Sequence, residues 1–516
     1  MLTATDAADA YARVRGIGAI MTTFGVGELS CVNGIAGSYA ELAPVVHIVG
    51  TPSRASQAQG AMLHHTLGNG DFRIFADIYS RITIAQADLK DPATAPSEID
   101  RVLRRCYTET KPVYIELPVD MVEQKVDANL LDVPIDVSMQ RGDPDAESMA
   151  VGIILEKLYA ARRPVFLVDG AAHRRRLMPS AEKLFEKVQL PVFVAPMGKG
   201  AVDESLPYFV GTYAGSGSRE DVKQALESSD LIITLGNIKS DLNTAGFSYR
   251  FSKLNTIDLH WDLCDFGYAT FSKVSYHTLI PRLTEAIDCS RLQPDARRIP
   301  SIPKPSVPTN GGDIITHEWL WPRMSTFLRE GDIFVVDAGT SFVGFWETVL
   351  PRHVRVISQI LWSSIGYACP AAQGAAIAAK DIGKGQRTVC FEGDGSIQLT
   401  AQELSTIIQH DLDVTMFLIE NEGYTIERMV HQPAEAHYND IPQWKYSKLA
   451  EVMTPLANKR AQVKTWQIES RAELEQLLGD PEFANGKGLQ FVEIHMEKMD
   501  APKTLKEFGA KAAESS

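Results

Sequence analysis

Asp394 and Asn421 are the residues through which the chemistry of this chain is most readily read. Each follows a short apolar run: Thr388 to Phe391 leads into Gly393-Asp394-Gly395-Ser396, and Val414 to Ile419 leads into Asn421-Glu422-Gly423-Tyr424. Bounded apolar runs of this length read as buried strands. Between them Leu404, Ile407 and Ile408 fall on one face of a helix, and a further helix starts near Thr425. A strand-helix-strand unit makes the two strands parallel, and ligands of open parallel sheets sit off the carboxyl ends of the strands. The side chains of Asp394 and Asn421 offer two oxygens there, and a backbone carbonyl near Gly423 offers a third. Three oxygens carrying one formal charge suit Mg2+ that also takes phosphate oxygens from a ligand. Gly395 and Ser396 open a helix whose first amides can receive that phosphate.

Three further residues have the right type for proton transfer. Glu427 lies one turn into the helix after the metal loop. His64 and His65 are adjacent, and an imidazole near its ordinary pKa of about 6.5 serves as acid or base at cellular pH. Each of these signals also has a plain structural reading. A Gly-Asp-Gly turn suits any α/β enzyme, a glutamate at a helix start is favoured by the helix dipole, and a His-His pair is more often a surface feature.

The elements that must position these residues follow from the rest of the chain. Its 516 residues are enough for about three domains, and its 45% apolar and 22% charged content is that of an ordinary globular protein. A net charge of -14 disfavours non-specific binding to nucleic acid or an anionic membrane. Arg174-Arg175-Arg176 is the only basic run that stands out, and reads as a solvated helix start. The six cysteines are scattered without a C-x-x-C pair, so neither a zinc site nor a disulfide framework is expected. Reduced thiols and a cytoplasmic location fit best. Residues 2 to 14 read as a helix, Ile17 to Thr22, Val45 to Val49 and Val113 to Leu117 as strands, and Glu98 to Tyr107 as helical. Residues 123 to 150 read as a linker. Strands are expected near Val165 to Val168, Val192 to Val194 and Leu231 to Leu235, a Pro-rich linker over Arg291 to Gly312, a helix from about Thr316, and a strand over Ile333 to Val336. Strands alternating with helices mean doubly wound parallel sheets.

The words GDGSIQLTAQE, NEGYTIE, LHHTLGNGDF and AADAYAR together resemble the thiamine-diphosphate (ThDP)-dependent pyruvate decarboxylases of fungal and plant type, and the resemblance runs the length of the chain. It implies an α/β fold of three doubly wound parallel-sheet domains of the ThDP-dependent decarboxylase type, the first one truncated. These are a pyrimidine-binding domain over 1–130, a central structural or regulatory domain over 150–290, and a diphosphate-binding domain over 315–516. The implied cofactors are ThDP and Mg2+, with Asp394, Asn421 and Gly423 on the metal. Thr340, Ser363, Ser364, Ile365, Asp394, Gly395, Ser396, Asn421, Glu422, Gly423, Tyr424, Thr425 and Ile426 are the implied cofactor contacts. Ile365 matches the aliphatic wedge under the thiazolium. Ser363 replaces a usual glycine whose carbonyl accepts a bond from the aminopyrimidine. The implied catalytic residues are His64, His65 and Glu427. The implied reaction is non-oxidative decarboxylation of pyruvate, or another 2-oxo acid, to an aldehyde and CO2.

Partners implied in this way are a small 2-oxo acid and further copies of the chain. The family's dimers place active sites between the first domain of one chain and the third of its partner, and pair into tetramers; no nucleic-acid or membrane partner is expected. A regulatory cysteine carried by some fungal relatives is matched by Ala171. Met1 matches the family's cofactor-activating glutamate, and the family's earlier substrate-facing aspartate has no counterpart. The sequence is therefore expected to lack an N-terminal segment, with impaired activity in this form. Two other readings stay open: a decarboxylase for bulky 2-oxo acids such as indolepyruvate or phenylpyruvate, and a non-enzymatic relative that keeps only the fold. Phe342 at the expected pocket narrows it, and Leu242 replaces a usual phenylalanine.

Overall fold

The computed structural model describes residues 2–431, 433–456, 462–507 and 509. Met1, where the resemblance places the activating acid, lies outside them. The chain divides into two compact units, one of residues 1–139 with 370–382 and one of residues 140–369 with 383–516.

The first unit holds a parallel sheet of β1 (Gly18–Thr23), β2 (Val45–Thr51), β3 (Gln86–Asp88) and β4 (Val113–Pro118), in the order β1-β2-β4-β3. The central strands β2 and β4 are buried on nearly their whole length, as their near-continuous apolar runs require, while Ala19 and Met21 on the edge strand β1 are exposed. Ile20, Val45, Val49, Tyr79 and Tyr114 pack in one core, and Val46, Val102, Val113 and Ile115 in another. The first helix, Leu2–Arg15, is joined by the segment Pro370–Ile382, whose small residues allow close packing. Gly374 meets Ala7 at backbone distance, and Tyr11 Oη donates to Asp381 Oδ2 at 2.9 Å.

The second unit holds two sheets. One comprises β5 (Pro164–Val168), β6 (Val192–Val194), β7 (Phe209–Thr212), β8 (Leu231–Leu235), β9 (Thr256–Leu259), β10 (Leu263–Phe266) and β11 (Ala269–Ser272), ordered β11-β10-β9-β8-β5-β6-β7. It is not wholly parallel, because β9, β10 and β11 run antiparallel. Their connections are too short for a crossover helix, and only antiparallel neighbours can be joined so tightly. The other sheet comprises β12 (Ile333–Val336), β13 (Arg355–Ile357), β14 (Thr388–Gly393), β15 (Val414–Glu420), β16 (Val463–Ile468) and β17 (Leu489–His495), all parallel and ordered β13-β12-β14-β15-β17-β16. Val389, Phe391, Phe417 and Ile419 bury their side chains in the core beneath it.

Three expectations are corrected. The linker over 123 to 150 ends early: Pro144 begins the helix Pro144–Ala160, capped by Asp143, whose carboxylate accepts from the amides of Asp145 and Ala146. The Arg174-Arg175-Arg176 run is not a solvated helix start. It closes the helix Gly170–Arg174, and Arg175 is buried with its guanidinium 4.4 Å from the Trp261 ring. The Gly393–Ser396 turn is shorter than expected, because the helix Asp394–Thr400 starts directly at Asp394. All six cysteines are unbridged. Among the described residues no helix is long and apolar enough to cross a membrane.

Candidate active site

Strands β14 and β15 are paired so that Gly393 lies beside Ile419. β14 ends at Gly393 and β15 one residue beyond Ile419, at Glu420, so Asp394 and Asn421 each follow the end of their strand and come together there. Asp394 is buried, with Oδ1 accepting from the Gly395 amide at 2.7 Å and Oδ2 from the amides of Gly423 at 2.8 Å and Asn421 at 3.3 Å. Burial pushes its carboxyl up to about 6 even against these backbone donors. The Gly395 amide, expected to be open to phosphate, is thus engaged by Asp394.

The loop between β15 and the helix Thr425–Val430 is held by Arg428. Its Nη2 donates to the carbonyls of Glu422 at 2.7 Å and Asn439 at 3.0 Å and to Asp440 Oδ1 at 2.8 Å. Gly423 has φ +110°, and a Cβ there would fall 2.3 Å from the Asn439 carbonyl oxygen, so both conformation and space require glycine.

A cavity of about 300 Å³ opens off these strand ends. Its wall brings together Thr340, Ser363, Ile365, Asp394, Gly395, Ser396, Asn421, Gly423, Tyr424, Thr425, Ile426 and Glu427. Two expected contacts do not line it. Glu422 is exposed, turned out by its φ of +60°, and the Ser364 amide donates to Gln359 Oε1 at 3.0 Å. Ser363 has φ +53°, the left-handed region where glycine is cheapest. Its hydroxyl donates to the carbonyls of Gln359 and Ile360. Leu242 and Phe342 also face the cavity, with the Phe342 ring edge-on to Trp346 at 6.4 Å.

Several residues here carried no sequence signal. Asp241 and His431 line the cavity, and His431 Nε2 lies 3.4 Å from Glu427 Oε2. Only the four-residue spacing on a short helix could have suggested that pair. Beneath the site, Asp337 and Glu392 are buried side by side. Asp337 Oδ2 accepts from the Gly366 amide at 3.0 Å and Glu392 Oε2 from the Cys369 amide at 2.7 Å. Burial, with the Asp337 carboxyl beside it, pushes the Glu392 carboxyl well above the usual range.

His64 and His65 lie in the first unit. Their rings meet edge-on at 4.6 Å, and Phe24 lies 6.4 Å from His64 and 5.9 Å from His65. His65 has φ +66°, an uncommon conformation for a residue with a side chain.

Three family descriptions match the chain: the N-terminal TPP (thiamine pyrophosphate, the same compound as ThDP) binding domain of the thiamine pyrophosphate enzymes over residues 2–70, their central domain over 151–273, and their C-terminal TPP binding domain over 337–494. The chain is 45% identical to the pyruvate decarboxylase of Aspergillus fumigatus, over 98% of its own length and 88% of the relative's. Belonging is settled by that extent. The chain is a member of the pyruvate decarboxylase family of thiamine pyrophosphate enzymes. The pyruvate decarboxylase of Aspergillus terreus is 44% identical and isozyme 3 of Saccharomyces cerevisiae 41%, each over 98% of the chain and 88% of the relative.

The C-terminal match takes in the cavity wall from Thr340 to Glu427, though not Asp241 and Leu242. The residues present fit a diphosphate with a divalent ion. Asp394 is a buried carboxylate with no cationic partner among the described residues, and the Asn421 side-chain amide has none of any kind there. No group of three His, Cys, Asp or Glu side chains among the described residues could hold a metal alone. Besides Asp394, an ion here would draw on the Asn421 amide oxygen, the Gly423 carbonyl and the diphosphate.

Proposed function

We propose that the protein converts pyruvate to acetaldehyde and CO2, using ThDP and Mg2+. The observation that carries this reading is the convergence of Asp394, Asn421, Gly423 and Glu427 on one cavity in a chain so similar to pyruvate decarboxylases. Bound ThDP supplies an electron sink for the pair left behind when CO2 departs. The remaining work falls to the chain. Asp394, the Asn421 side-chain oxygen and the Gly423 carbonyl would hold Mg2+ with the diphosphate, and the Ser363 carbonyl and Ile365 would hold the cofactor's rings. Leu242, Ile365, Phe342, Ile426 and Val430 give the cavity an apolar wall. Such a wall disfavours a carboxylate and so favours its loss. Glu427 delivers the proton that completes the aldehyde, and His431, 3.4 Å away, returns it. His64 and His65 position the substrate and relay protons. The bulk of Phe342 supports a small substrate over indolepyruvate or phenylpyruvate.

This reading includes domains at 1–130, 150–290 and 315–516, a cytoplasmic location, and homodimers paired into homotetramers. A coupled assay with alcohol dehydrogenase tests the activity. Pyruvate should be consumed faster than phenylpyruvate or indolepyruvate, only with ThDP and Mg2+ present. A preference for the bulky acids would overturn the substrate assignment, and turnover without ThDP would overturn the cofactor assignment.

A further inference from the structure

The first unit contains a buried polar cluster that the proposed reaction leaves without a role. Glu28 is 1% exposed. Its Oε2 accepts from Tyr114 Oη at 2.6 Å and its Oε1 from the Gly25 amide at 2.7 Å, while its own carbonyl accepts from Tyr79 Oη at 2.5 Å. Behind the two stacked tyrosines lies His47, with ring centroids 5.0 Å from Tyr79 and 5.6 Å from Tyr114, and its Nε2 2.9 Å from Thr22 Oγ1. Thr22, His47 and Tyr114 stand on the three neighbouring strands β1, β2 and β4. Glu28 therefore links the turn after β1 to the rigid centre of the sheet.

What that turn touches gives the linkage its consequence. Gly25 has φ +62°, and a Cβ there would lie 2.0 Å from the His65 carbonyl oxygen and 3.3 Å from the His65 Cβ. The His65 backbone thus rests directly on Gly25, in a conformation that needs outside support, at φ +66°. The preceding residue, Phe24, packs its ring against both imidazoles. Its amide is bonded to the Gly50 carbonyl at the end of β2.

We propose that Glu28 is a positioning residue for the His64–His65 pair, acting through the Gly25 amide and the Phe24–Gly25 turn. The inference rests on the reading that these histidines serve the reaction. The bond to Gly25 needs an acceptor oxygen and not a charge. That is consistent with a carboxyl that burial pushes upward, and it means that glutamine can substitute.

The test is a double-mutant cycle on kcat/KM for pyruvate, with ThDP and Mg2+ saturating. Glu28→Ala should lower kcat/KM by about 10²-fold, the scale of a misplaced catalytic group. In a His65→Gln background the same change should cost under about threefold, because its effect runs through His65. Glu28→Gln should restore most of the loss. Tyr114→Phe, which removes one hydroxyl and keeps the ring, should show the same dependence on His65 at smaller size, and serves if Glu28→Ala does not fold. An equal cost with and without His65, or a glutamine variant as impaired as the alanine one, would overturn the inference. If His65→Gln alone leaves kcat/KM unchanged, the role given to the histidine falls first and this inference with it.

Discussion

Asp394 is buried among backbone amides with its carboxyl pushed up to about 6, and a divalent ion would reverse that cost. Asp394→Ala should therefore weaken ThDP binding in the presence of Mg2+ by more than about 10²-fold, beyond the cost of losing an outer partner of a ligand. Chelation of divalent ions should do the same to the unmodified protein. Isothermal calorimetry reads both, and unchanged affinity would remove Asp394 from the site. Glu427 tests the proton transfer: Glu427→Gln should reduce turnover by about 10² to 10⁴ while ThDP stays bound. A loss below about threefold would take it out of the mechanism. His431→Gln should cost less than Glu427→Gln and little in the Glu427→Gln background, since its imidazole reaches the chemistry through that carboxylate.

The loop carrying Asn421 and Gly423 is shaped by a side chain that does not itself line the cavity. Arg428 is fully buried and spends one nitrogen on two carbonyls and a carboxylate. Arg428→Met should remove the Glu422 carbonyl's donor, leave the Asn439 carbonyl with the Tyr424 amide alone, and cost about 1 to 3 kcal/mol in denaturant unfolding. ThDP affinity should fall as well, and lysine should not rescue it, because a point charge cannot span the same acceptors. At this scale the sequence was readable where apolar runs end in Gly, Asp or Asn. Strands β14 and β15 and the helix from Thr425 lie where the pattern put them, so Asp394 and Asn421 could be paired before any coordinates. The antiparallel edge β9-β10-β11 was not readable, because Thr256–Leu259, Leu263–Phe266 and Ala269–Ser272 are four-residue strands whose polar residues hide the alternation. Arg428, His431 and the Asp337–Glu392 pair were equally invisible. Their roles come from contacts made across the fold, which no local pattern encodes.

Across the whole chain, buried histidines set a pH dependence. Burial pushes His47 and His317 down to about 4. For His317 the reason is explicit: Nδ1 accepts from Trp321 Nε1 at 2.9 Å, so a second proton would displace that bond. Between about pH 4 and 6.5 the unfolded chain binds protons at these residues and the folded chain does not, so they make stability fall as pH drops through that window. Asp169 and Asp394, pushed up to about 6, contribute the opposite slope. The comparison with His317→Gln isolates one contribution: wild type should lose more stability than the variant between pH 6.5 and 4.5, and equal slopes would refute it. The central claim is decarboxylation to an aldehyde whose new hydrogen comes through the protein from water. It is tested most directly by 13C NMR of [2-13C]pyruvate in 2H2O with ThDP and Mg2+. The account predicts acetaldehyde carrying one deuteron on the labelled carbon, formed by wild type and nearly absent with Glu427→Gln. Unchanged pyruvate, or labelled acetate or a carbon-carbon ligation product in place of the aldehyde, would contradict it.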